Sequence, residues 1–184
     1  MPIPIRRLLV ALTLSCALIA GATACGGNSN ESMTTAPKAT PTASASVERQ
    51  KLAKTRFVAN AGLAAGATYQ WIVKPWKAGK FKKGAHGRKL ALVKAALAGG
   101  FAYNRLKAAH RNAEGDPALS KALAPLTAGI DKLKDLPSKL RKGDSTDDVV
   151  GNYNDVINKV KDAGKSAGAD VKDKVPSASQ LSGS

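Results

Sequence analysis

After residue 46, apolar residues recur every three or four positions, and no segment alternates apolar and polar residues as a half-buried strand would. Ala, Leu, Lys and Val supply most of these positions, and the first three favour helices. The pattern predicts an all-α domain, a small bundle of about four helices over residues 47–175.

The first two helices are predicted from their apolar faces. The first runs from about Val47 to Val73 and ends before Pro75, because the residue preceding a proline is pushed out of the α region. Its buried stripe is predicted to hold Phe57, Ala61, Ala64, Thr68 and Ile72. The second spans about His86 to Asn112 and has two adjoining apolar faces. One carries Leu90, Val93, Leu97 and Phe101, and the next carries Leu92, Ala96, Tyr103 and Leu106.

Capping residues and prolines divide the rest of the body. Asp116 before Pro117 opens a third helix, since Asp caps free amides and Pro suits the first helical position. Pro125 is expected to break that helix into pieces near residues 117–124 and 125–135. Ser145 and Asp148 have capping-box spacing at the start of the last helix.

A pair of glycines and a Ser-rich end complete the pattern. The spacing of Gly62 and Gly66 would let another helix backbone approach closely. Residues 176–184 are rich in Ser and predict a disordered tail.

Residues 1–24 have the order of an export signal. Arg6 and Arg7 precede an apolar stretch of 13 residues, Leu8 to Ala20, and small residues follow. A helix needs about 20 residues to cross a bilayer core, so this stretch is too short for a permanent anchor. We interpret it as a cleaved signal peptide, with Sec and twin-arginine export both open.

The end of that signal, Ala22-Thr23-Ala24-Cys25 followed by Gly26 and Gly27, resembles the lipobox of bacterial lipoproteins. The resemblance covers only the first 27 or so residues. It implies that Cys25 is lipidated and that the protein is anchored at the outer face of the cell membrane. The family usually carries Leu where this chain has Ala22, and Ala22-x-Ala24 also suits ordinary signal peptidase. A secreted soluble product is the alternative. The Ala- and Lys-rich composition resembles that of a high-GC Gram-positive source.

The mature chain begins with a segment of small and polar residues and then divides by charge. Residues 25–46 have almost no large apolar side chain and predict a flexible tether. From Arg49 to Ala113 there are 15 Lys or Arg and no acid, whereas residues 114–184 carry 11 of each sign. The first half of the body is therefore predicted to face a polyanion.

A cluster of cations and aromatics lies between the first two predicted helices. Trp is typical of boundaries between apolar and wet regions, and each Lys near an anionic lipid surface contributes about 1 kcal/mol. Whether Trp71 and Trp76 are core or surface residues stays open. The predicted polyanion-binding residues are Lys74, Trp76, Lys77, Lys80, Lys82, Lys83, Arg88 and Lys89.

Catalytic and metal-binding chemistry is sparse. His86 and His110 are the only histidines, with no Cys or acid at ligand spacing. Gly79 and Gly84 have the spacing of a phosphate loop, but Ala85-His86 replaces its Lys and Ser/Thr. We predict no catalytic residue, metal or cofactor.

The expected partners are the membrane, through the lipid anchor, and anionic lipid or wall polymer, with a protein partner also open. Export argues against nucleic acid. The alternatives are an interaction or scaffold module with an incidental basic surface, a secreted nucleic-acid-binding protein and an unrecognised enzyme.

The lipobox resemblance predicts the mature N-terminus. Mass spectrometry of the protein from its membrane fraction is expected to find a chain that begins at Cys25 and carries diacylglyceryl. A Cys25→Ser variant is expected to leave the membrane fraction, because it has no thiol to acylate. A bare Cys25, or a different first residue, would contradict the lipoprotein assignment.

Overall fold

The computed structural model describes residues 43–183, and the predicted signal peptide, Cys25 and most of the tether lie outside these residues. The described part is helical with no strand, so the predicted all-α bundle is confirmed. The helices are α1 Ala43–Thr68, α2 Lys74–Lys77, α3 Arg88–Ala113, α4 Pro117–Leu123, α5 Thr127–Lys132, α6 Leu136–Lys142, α7 Thr146–Ser166 and α8 Ala178–Ser182. A π-helical segment, Tyr69–Val73, joins α1 to α2. Residues 43–46, predicted as tether, are the first turn of α1.

The antiparallel pair α1 and α3 forms the centre of the bundle. Arg105 of α3 donates to Asn60 of α1, while Lys94 lies over the Trp71 ring, so the chains run in opposite directions. The facing surfaces are built mainly from alanine. Fully buried positions include Ala61 and Ala64 on α1 and Ala95, Ala98 and Ala102 on α3. Because interaxial distance depends on the side chains at the contact, these small residues bring the two backbones close together.

The stripe predicted for the first helix is confirmed at all five positions, from Phe57 to Ile72. The predicted end before Pro75 is wrong, because the helix continues through the π segment to Lys77. There the Lys74 amide donates to the Tyr69 carbonyl, five residues back. This wider turn relieves the clash between a proline ring and the carbonyl four residues earlier.

Of the two apolar faces predicted for the second helix, the structure buries the leucines of one and exposes those of the other. Leu92 and Leu106, on the second face, are buried, whereas Leu90 and Leu97, on the first, are 60% and 43% exposed. The core-facing side of α3 holds these two buried leucines together with alanines such as Ala95 and Ala98. Small residues let α1 approach more closely than leucines would, which leaves Leu90 and Leu97 outside.

Helix α7 closes the core with one large side chain. Tyr153 is fully buried, and its hydroxyl donates to the Leu133 carbonyl at 3.4 Å. A Cβ at Gly99 would lie 2.6 Å from that hydroxyl oxygen, so only glycine leaves room for the tyrosine. Burial also raises the pKa of Tyr153, which stays neutral in the core.

The C-terminal segment packs on the glycines of α1. The Lys174 amide donates to the Gly62 carbonyl at 2.8 Å, and a Cβ at Gly66 would lie 2.1 Å from the Lys174 carbonyl oxygen. The two glycines thus accept a non-helical backbone segment rather than the helix that their spacing suggested. The predicted disordered tail is also wrong, since Ser177 caps α8 with a capping box and Leu181 is buried.

In the second half of the body, the predicted cap at Asp116 and the predicted break at Pro125 are confirmed, whereas the predicted capping box at Ser145 is not. The Asp116 carboxylate accepts from the Leu119 amide at 2.9 Å, and Pro125 lies in a 3₁₀ turn between α4 and α5. The predicted capping box at Ser145 does not form. Ser145 is in the left-handed region, at φ 44°, and its side chain makes no capping hydrogen bond. The tight link after Gly143, itself left-handed, sets this geometry.

The close contact at Gly66 predicts that alanine destabilises the protein at this position but not at Gly100. Gly66→Ala is expected to lower the free energy of unfolding by about 1–3 kcal/mol, because its Cβ meets backbone atoms. Gly100→Ala is the control, since that position has open space, and helix propensity there favours Ala by up to about 1 kcal/mol. Urea unfolding measures both. Equal stability of the two variants would contradict the packing described.

Candidate functional site

The segment between α2 and α3, residues 78–87, carries much of the predicted cluster and is held in consecutive turns. The amides of Gly79, Lys82 and Ala85 donate to carbonyls three residues earlier, at 2.8–3.1 Å. Phe81 is only 4% exposed and anchors the segment in the core. We call residues 74–89 the basic segment. The lysines of the basic segment therefore project from hydrogen-bonded turns that Phe81 anchors to the core.

Arg88 has a structural role in this surface. Its Nε donates to the Phe81 carbonyl at 2.8 Å and its Nη2 to the Gly143 carbonyl at 3.4 Å. The guanidinium is part-buried, and it connects the basic segment to the link between α6 and α7. Arg88, one of the eight predicted polyanion-binding residues, thus forms hydrogen bonds within the protein.

The six lysines of the predicted site all have exposed side chains. Within residues 43–183, none of them forms an ion pair, because the three ion pairs there join Lys54 to Asp116, Lys107 to Asp131 and Lys161 to Asp173. These pairs lie elsewhere in the bundle. The lysines without an ion-pair partner in this part of the chain are Lys74, Lys77, Lys80, Lys82, Lys83 and Lys89.

The two tryptophans line two separate clefts next to the basic segment. Both are half-buried and pack against the edge of the core, so neither of the two interpretations left open by the sequence holds fully. Trp76 borders a cleft of about 550 Å³ between the basic segment and α7, and Trp71 borders one of about 400 Å³ next to α3. We call these the α7 cleft and the α3 cleft.

The α7 cleft is mixed in charge. Lys77, Lys82 and Lys83 line it, and so does Asp147, from the first turn of α7. The Trp76 indole N–H donates to the Asp147 carboxylate. An anion that enters this cleft therefore meets a carboxylate as well as ammonium groups.

The lining of the α3 cleft divides into apolar side chains, which we call its floor, and cationic side chains, which we call its rim. Trp71, Pro75, Leu90 and Ala91 supply apolar surface. The lining also includes His86 and three lysines, Lys74, Lys80 and Lys94, but no Asp or Glu among the described residues. Lys94 Nζ lies 5.9 Å from the centre of the Trp71 ring, within cation–π range.

Three residues of these clefts were not singled out from the sequence. Leu90 was assigned to the core, Lys94 to no site and Asp147 to none. Lys94 follows Leu90 by four residues, so a helical projection places both on one face of α3. Nothing local connects Asp147 to Trp76, which precedes it by 71 residues. Only the fold brings that pair together.

The histidines lie in different surroundings. His110 Nε2 is 2.9 Å from Thr127 Oγ1, while His86 is exposed at the α3 cleft. Across residues 43–183, no three His, Cys, Asp or Glu side chains converge as metal ligands. In the same part of the chain, every helix is too short or too polar to span a bilayer.

Comparison with known proteins finds no match to a protein-family model, a curated protein or a solved structure. The role of the two clefts is therefore inferred from their own geometry and chemistry.

The hydrogen bonds of Arg88 predict that it supports the basic segment. Arg88→Met is expected to lower the free energy of unfolding by about 1–3 kcal/mol, because it leaves part-buried carbonyls without their charged donor. The amides of Gly79, Lys82 and Ala85 are expected to exchange hydrogen faster. Lys89→Met is the matched control, expected to change stability by less than about 0.5 kcal/mol, since Lys89 is exposed. Unchanged exchange in Arg88→Met would refute this support role.

Proposed function

We propose that this protein is a non-enzymatic lipoprotein of the cell envelope, anchored through Cys25, whose basic segment binds anionic lipid or wall polymer. One observation carries the proposal: six exposed lysines stand within 16 residues, and none has an ion-pair partner in residues 43–183. Like charges held this close repel one another. An external polyanion relieves that repulsion and gains direct contacts.

The strength of this attraction depends on distance and salt. Each Lys near an anionic lipid surface contributes about 1 kcal/mol, an estimate made for cytoplasmic leaflets. Screening limits the attraction to about 10 Å at 0.1 M salt. The basic segment therefore has to touch its partner, and binding is expected to weaken as salt rises.

Charge reversal tests the proposal. The mature chain, residues 25–184 with Cys25→Ser, is mixed with phosphatidylglycerol vesicles, phosphatidylcholine vesicles or purified wall and sedimented. Replacing Lys77, Lys80, Lys82 and Lys83 by Glu is expected to weaken binding to the anionic material at least about a hundredfold, because four contributions of about 1 kcal/mol are lost.

A second quadruple variant gives the control. Replacing Lys121, Lys132, Lys134 and Lys159 by Glu changes the net charge equally, at exposed positions outside the basic segment. This variant is expected to bind within a few-fold of the parent. Equal loss in both variants would show that only net charge matters. Absence of any binding by the parent would leave the scaffold alternative, in which the basic surface is incidental.

A further inference from the structure

We infer, on the basis of the function just proposed, that the α3 cleft seats the acyl-chain boundary of an anionic lipid, so that lipid rather than wall polymer is the partner. The two candidates share negative charge but differ in apolar surface. The lining of the α3 cleft contains both cationic and apolar side chains, which match the charge and the hydrocarbon of an anionic lipid.

The floor of the cleft is suited to hydrocarbon. Trp71, Pro75 and Leu90 line it, and the Leu90 side chain is 60% exposed. Covering such a surface with acyl chain removes it from water, which is favourable in proportion to the area covered. A hydrophilic sugar-phosphate polymer has little hydrocarbon to place on it.

The rim of the cleft selects for negative charge. Lys74 and Lys80 approach from α2 and the segment after it, and Lys94 approaches from α3. No carboxylate lines the cleft among the described residues, so the three ammonium groups act together on a headgroup. The volume, about 400 Å³, lies within the range usual for small-ligand sites, about 300–1,000 Å³.

The α7 cleft lacks this combination. Asp147 lies inside it and accepts from Trp76, and Arg88 is committed to backbone carbonyls. An anionic headgroup entering there would face a carboxylate. The two tryptophans should therefore respond differently to lipid: Trp71 contacts the acyl chain and Trp76 does not.

Single-tryptophan variants measure that difference, because Trp71 and Trp76 are the only two tryptophans of the chain. In the mature chain with Cys25→Ser, Trp76→Phe leaves Trp71 as reporter and Trp71→Phe leaves Trp76. Phosphatidylglycerol vesicles with brominated acyl chains are expected to quench Trp71, relative to unbrominated vesicles, and to spare Trp76. Circular dichroism checks that both variants stay helical. Quenching of Trp76 alone, or of neither, would overturn the inference.

A leucine substitution tests the floor independently. Leu90→Gln is expected to weaken binding to phosphatidylglycerol vesicles about fivefold, because about 1 kcal/mol of apolar contact is lost. Binding to inorganic polyphosphate is expected to stay unchanged. Leu52→Gln, on α1 outside the cleft and 49% exposed, is the matched control, and its vesicle binding should equal that of the parent.

The outcomes separate this inference from the function on which it rests. Vesicle binding that needs the lysines but ignores Leu90 and spares Trp71 overturns the cleft inference and leaves the proposed function standing. Binding to wall but not to vesicles does the same. Failure to bind vesicles, wall and polyphosphate overturns both.

Discussion

Close packing of alanine against alanine between α1 and α3 is the contact on which the rest of the structure depends. Buried alanines such as Ala64 and Ala98 each contribute little area, so the pair is stabilised by the many short contacts that two nearby backbones make. Because the helices run antiparallel, the chain must turn between residues 78 and 87, at one end of the pair. The lysines of the basic segment are thereby gathered at that end.

Glycines extend the same principle to the surrounding elements. Gly99 makes room for the Tyr153 ring, and Gly62 and Gly66 let the backbone near Lys174 lie directly on α1. Each glycine replaces side-chain packing by contact with backbone or with one large ring. A bundle with few aromatic residues closes its core in this way, and the C-terminal segment becomes part of the fold.

The ion pairs that the basic half forms with the described acids lie outside the basic segment. Acids of the second half reach across to cations outside that segment, as Asp116 does to Lys54 and Asp131 to Lys107. The hydrogen bond from Lys107 to Asp131, together with the charge of Asp131, raises the pKa of that lysine. Asp147 reaches the segment but accepts from Trp76 instead of from an ammonium group. Lys77, Lys82 and Lys83 line the mixed α7 cleft, whereas Lys74 and Lys80 line the α3 cleft, which has no acid among the described residues; this difference is the basis for distinguishing their ligands.

The sequence by itself determined the helical class, the buried stripe from Phe57 to Ile72, the cap at Asp116 and the acid-free first half of the body. These depend on periodicity, capping and composition, which act within a few residues. Tertiary structure alone decided that Leu90 faces solvent and that Arg88 is held by carbonyls of distant segments. Which of two apolar faces is buried depends on how closely a partner helix can approach, and hydrogen bonds across 55 residues depend on where the chain returns. Neither quantity is encoded in a local pattern.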